Sequence, residues 1–76
     1  MPHVIVKLHS GRSEADKSRL ADEITKAVTG ALNLGDESVS VGIEDVEPKD
    51  WVEHVYKPEI LTKGATIYKK PGYNPL

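Results

Sequence analysis

The sequence predicts an α+β fold built on one βαβ unit, and three observations carry that expectation. Two short β-branched stretches alternate apolar with polar residues, a capped amphipathic segment of helical period separates them, and a helical extension follows the second stretch. A helix crossing between consecutive strands makes them parallel and the connection right-handed.

His3-Val4-Ile5-Val6-Lys7-Leu8-His9 is the first strand, with Val4, Val6 and Leu8 on one face, His3, Lys7 and His9 on the other, and Ile5 breaking the alternation. Ser10-Gly11-Arg12 interrupts this pattern. Ser13-Glu14-Ala15-Asp16 then has the N-cap-x-x-acid form that satisfies free amides at a helix start. Leu20, Ile24, Ala27, Val28 and Ala31 recur at helical spacing, with Lys17, Arg19, Asp22, Glu23 and Lys26 on the other sides, so one face packs on a sheet. Asn33-Leu34-Gly35 tolerates the left-handed backbone that ends a helix. In the second strand Val39, Val41 and Ile43 alternate with Ser40, Gly42 and Glu44. Pro48-Lys49-Asp50-Trp51 reads as a turn or short helical start, and Pro58 interrupts any long helix there. A second helical stretch is expected from Glu59 to about Tyr68, carrying Ile60, Leu61, Ala65 and Tyr68 but weakened by Gly64, before a turn-rich tail from Lys70 to Leu76.

At 76 residues the chain makes a single domain, 1–76, at a length where an isolated monomer is only marginally stable. A two-stranded parallel sheet leaves long unpaired edges, so a second copy is expected to complete a four-stranded sheet as a homodimer, with hexamers left open. The net charge is −2 and the basic residues are interleaved with acidic ones, which argues against a nucleic-acid partner. With no apolar run of signal-peptide or membrane-spanning type, a soluble cytoplasmic protein with no membrane partner is expected. The absence of cysteine excludes disulfides and thiolate chemistry.

Chemistry is first suggested by Met1-Pro2-His3-Val4. Once Met1 is removed, leaving residues 2–76, Pro2 carries a free secondary amine fixed at the head of a strand. An α-amine of ordinary pKa, about 7.7–8.0, is roughly one-fifth free base near pH 7.4, and burial or a nearby cation raises that share. The bland alternative is a strand-leading proline without a role.

Pro2 at the start of strand one, Gly11-Arg12-Ser13 at its far end and Trp51 beyond strand two together resemble the 4-oxalocrotonate tautomerase family, over the chain from Pro2 to about Trp51. The resemblance implies a cofactor-independent keto–enol tautomerase with the amino-terminal proline as general base and no metal. The tail Lys69-Lys70-Pro71-Gly72-Tyr73 looks like that of the dimeric phenylenolpyruvate-type tautomerases of enteric bacteria. Arg12 lies ten positions from Pro2, about 30 Å along an extended strand, so the two cannot share a site within one chain. Antiparallel pairing of two copies would bring Arg12 of one to Pro2 of the other, to bind a carboxylate or carbonyl oxygen and stabilise an enolate. Otherwise Arg12 is a solvated residue or an ion-pair partner of Glu14 or Asp16.

By the same resemblance Trp51 is a water-excluding aromatic wall; packing alone is the alternative. Ser40 departs from the family, which carries a second arginine there. Its loss disfavours a dicarboxylate and favours a monoacid such as an aryl or alkyl enolpyruvate, with Ser40 as a hydrogen-bond donor or a plain surface serine. His3 and His9 share a strand face but lie about 20 Å apart, too far to hold one metal ion; with His54 they read as ordinary histidines, although His3 is placed to tune Pro2. A hydratase or dehalogenase variant needs an acidic residue that has no clear candidate here. The alternative from a different class is a catalytically idle oligomeric binding module.

Overall fold

The computed structural model describes all 76 residues. Strand β1 (His3–His9) leads through a turn into helix α1 (Glu14–Leu32), and strand β2 (Ser40–Val46) returns parallel to β1. The pairing runs in register from His3 opposite Ser40 to His9 opposite Val46. This is the expected βαβ unit of a small α+β fold. Strand two extends two residues past the expected Glu44, because the Val46 carbonyl still accepts the Ser10 N–H at 3.0 Å.

Local chemistry accounts for the boundaries. Ser13 caps α1 with extended backbone, its hydroxyl accepting the Asp16 N–H at 3.0 Å. Asn33 ends the helix in left-handed backbone (φ 56°), its N–H returning to the Thr29 carbonyl. Val4, Val6, Leu8, Val41 and Ile43 face α1 and are half-buried there. On the helix, burial follows Leu20, Ala21, Ile24, Thr25 and Val28, whereas Ala27 and Ala31 from the expected stripe are exposed. At Thr25 the hydroxyl is satisfied by the Ala21 carbonyl at 2.8 Å, so a polar residue can occupy the inner face.

The C-terminal half differs from expectation. Helical structure starts earlier and runs through Pro58: a turn at Pro48–Asp50 leads through Trp51 into a π-helix, Val52–Leu61, and only a single 3₁₀ turn, Gly64–Thr66, follows. No helix spans Glu59–Tyr68; Ile67 is extended and Tyr68 is exposed. Proline breaks an α-helix by removing an N–H and by pressing its ring on the carbonyl four residues back. The wider i→i+5 coil relieves that crowding, and the Thr62 N–H bonds the Lys57 carbonyl at 3.2 Å. Thr62 also donates its hydroxyl to the Pro58 carbonyl at 2.6 Å. The one sequence signal for this helix is the Glu53–Lys57 pair, four residues apart and 2.7 Å in contact.

The π-helix supplies the only two buried residues, Val55 and Tyr56. Lys7 on β1 and Glu59 meet at 2.6 Å, fastening this segment to the sheet face opposite α1. The remainder of that face is open: Ile5 stays 46% exposed, with its Cδ1 over Gly42, where an added Cβ would approach to 3.0 Å. The chain exposes 5736 Å². A self-contained folded monomer of 8.3 kDa exposes about 4,600 Å². The radius of gyration, 13.9 Å, likewise exceeds the roughly 11 Å typical of a compact domain of this length. No helix is long and apolar enough to cross a membrane.

Candidate active site

The residues singled out by sequence fall into two clusters, one at each end of β1. At its beginning, Pro2 is half-buried and its carbonyl accepts the Ser40 N–H at 3.2 Å, so β2 is tied to the proline's own peptide unit. Beside it the Ser40 hydroxyl and His3 Nδ1 lie 2.6 Å apart. Met1 is fully exposed, and while it is attached the Pro2 nitrogen is an amide without a basic lone pair.

At the other end, Gly11 turns the chain with φ 118°, a conformation that an L side chain rarely adopts, and so delivers Arg12 to the start of α1. Arg12 is exposed and makes no ion pair. Glu14, one of its two expected surface partners, pairs instead with Lys17 at 3.4 Å. Lys17 also holds Asp45 of β2 at 3.1 Å, and these carboxylates raise its pKa above the usual lysine value, hydrogen bonding to Asp45 contributing most. Lys7 is raised in the same way, chiefly by its hydrogen bond to Glu59. Both lysines are therefore committed to structural carboxylates, whereas Arg12 and its groove neighbour Arg19 make no ion pair. Arg12 lines an open groove of about 680 Å³ with Leu8 and Leu20 among its walls.

Trp51 lies at the same end of β1 but packs on His9, on the face opposite α1, and not in the groove that Arg12 lines. Its ring meets His9 edge-on, centroids 4.9 Å apart, and its indole N–H donates to the Tyr73 hydroxyl at 3.0 Å. Tyr73 in turn packs against buried Tyr56. The tail thus fixes the tryptophan, a contact between residues 22 positions apart that no local pattern signals. The His3–Ser40 pair was missed for a related reason, since it exists only once the register of the parallel strands is set. No group of three or more His, Asp or Glu side chains gathers anywhere in the chain.

A βαβ unit with a proline at the head of β1 and a glycine-turned arginine at its tail is the combination that carries the family resemblance, and comparison with known proteins bears on the family. A family profile described as "Tautomerase enzyme" matches residues 2–56. The chain belongs to the tautomerase family. A probable tautomerase of Xylella fastidiosa is 45% identical over 76 residues, covering 100% of this chain and 93% of its own. Tautomerase PptA of Cronobacter sakazakii is 38% identical over 96% of this chain and 97% of its own, and that of Escherichia coli 33% over 97% and 99%. The likeness therefore includes the tail that carries Tyr73, beyond the segment matched by the tautomerase profile. A tautomerase-type function follows for this chain.

Proposed function

We propose that the protein is a cofactor-independent keto–enol tautomerase of a small monocarboxylic 2-oxo acid, with Pro2, freed of Met1, as the base. The observation that carries this reading is the placement of Pro2 and an uncommitted Arg12 at opposite ends of one strand with a free edge. Antiparallel pairing of two β1 edges would bring the Pro2 end of one copy to the end of the other that carries Arg12 and Trp51, twice, by the same two-fold symmetry. The surplus exposed area supports a second copy. It is roughly 1,100 Å² per chain, above the ~800 Å² that each partner buries in a standard interface.

In this site the ring nitrogen of Pro2 takes the enol hydroxyl proton. The O–H electrons form the carbonyl, the C=C electrons take a proton at the adjacent carbon, and the amine is regenerated. Arg12 of the second copy binds the carboxylate and its charge lowers the pKa of the proline. Trp51 excludes water, and Ser40 offers a neutral donor in place of a second cation, which suits an aryl or alkyl enolpyruvate better than a dicarboxylate. The tail's likeness to phenylenolpyruvate-type enzymes makes phenylenolpyruvate the substrate to try first.

The test pairs intact-mass analysis with ultraviolet monitoring of phenylenolpyruvate ketonisation. Protein lacking Met1 is expected to be active, and Arg12→Ala to lose most of that activity. Retention of Met1 in active material, or equal rates for the two proteins, refutes the mechanism.

A further inference from the structure

The geometry points to His3 as a positioning residue that turns the Ser40 hydroxyl into a hydrogen-bond donor for the substrate oxygen nearest the transferred proton. This rests on the tautomerase reading and assigns a role that the reading leaves unfilled. His3 and Ser40 are opposite one another in the strand register, on the sheet face away from α1, and their side chains meet at 2.6 Å. The Ser40 N–H also bonds the Pro2 carbonyl, so the serine's backbone is tied to the residue that carries the base.

A serine hydroxyl has one hydrogen and two lone pairs. If that hydrogen points at His3 Nδ1, only lone pairs face outward, and these repel an enolate oxygen. If His3 donates from Nδ1, the serine oxygen accepts from the ring and its hydrogen is free to point at the substrate. A protonated imidazole donates from both nitrogens, and the neutral Nδ1–H tautomer donates from Nδ1, the atom at this contact. Only the Nε2–H tautomer reverses the bond. The arrangement provides a donor beside the proline without adding a second fixed cation, and it acts on the 2-oxygen, where negative charge grows as the proton moves.

Two measurements test this. Long-range proton–nitrogen spectra of the His3 ring at about pH 9, where an ordinary imidazole is neutral, are expected to show the Nδ1–H form, changing to Nε2–H in Ser40→Ala. In ketonisation of phenylenolpyruvate, His3→Ala and Ser40→Ala are each expected to lower kcat about tenfold with KM within about twofold, and the double variant to lose little more. His3→Asn, whose amide nitrogen can stand near the Nδ1 position, is expected to recover most of the loss. An Nε2–H ring in the wild type, or an unchanged kcat in His3→Ala, overturns the inference. A wild type free of Met1 yet inactive refutes the tautomerase reading instead, and the ring tautomer still decides the polarity of the pair.

Discussion

Two individually crippled variants should restore activity to each other if the site is shared between copies. β1 alone spans about 20 Å between His3 and His9, so Pro2 and Arg12 of one chain cannot touch one substrate. Pro2→Ala removes the base. Arg12→Ala removes a charge-assisted contact of about 1.5–3 kcal/mol, a loss of roughly ten- to 150-fold in kcat/KM. When the two variants are mixed in equal amounts and allowed to exchange, a given site draws an intact proline with a chance of one-half and an intact arginine from its neighbour with the same chance. About one-quarter of wild-type activity should therefore return, since each mixed dimer holds one complete site and one doubly damaged site. Native mass spectrometry establishes that mixed dimers have formed, and the ketonisation assay reads the activity. Mixed dimers no more active than the mean of their parents would sink the shared site and with it the role given to Arg12.

Three further outcomes follow from named contacts. Val55→Ala removes two methyl groups from the 5%-exposed core and should cost about 2 kcal/mol, lowering the melting temperature by about 10 °C at matched protein concentration; a shift under about 2 °C would place the core elsewhere. Tyr73→Phe removes the acceptor of the Trp51 indole N–H, so the emission of this sole tryptophan should shift and kcat/KM should fall; unchanged fluorescence would mean that the tail does not hold the ring. Lys7 and Lys17 have folded-state pKa values raised above the ordinary lysine value of 10.5, so their ion pairs stabilise fully below that value and are lost as pH rises through the raised values. Thermal melts should therefore show a stability loss at alkaline pH that is smaller in Lys7→Met and Lys17→Met, and equal alkaline losses in all three proteins would contradict the assignment.

How much was legible in the sequence depends on the range of the interaction. β1, the cap at Ser13, the left-handed stop at Asn33 and the Gly11 turn all rest on residues within a few positions of one another, and each is found where the pattern put it. The π-helix was not, because reading Pro58 as a stop assumes α-helical winding, and the wider coil that accommodates this proline leaves no mark in an α-helical pattern. The His3–Ser40 and Trp51–Tyr73 contacts depend on strand register and on the path of the tail, which a one-dimensional pattern does not encode.

The same distinction bears on function. On the proposed reading each local signal of chemistry, the Pro2 head and the Gly11-Arg12 turn, describes half a site, because a seven-residue strand holds its ends apart. An enzyme of this length cannot fold its base and its cation together without spending residues on a return path, and all of β2 and α1 is already used to support β1. The proposed two-fold pairing would solve this with no added chain: the strand length that separates the groups within one copy would become the register that aligns them between two. Lengthening β1 and β2 by two residues each, which keeps their parallel pairing in register within each copy, should then displace Arg12 from the partner's Pro2 by about 7 Å across a seam whose two-fold axis keeps its place. Activity lost with dimerisation preserved is the expected result, whereas activity retained in such a variant would mean that the arginine never faced the proline.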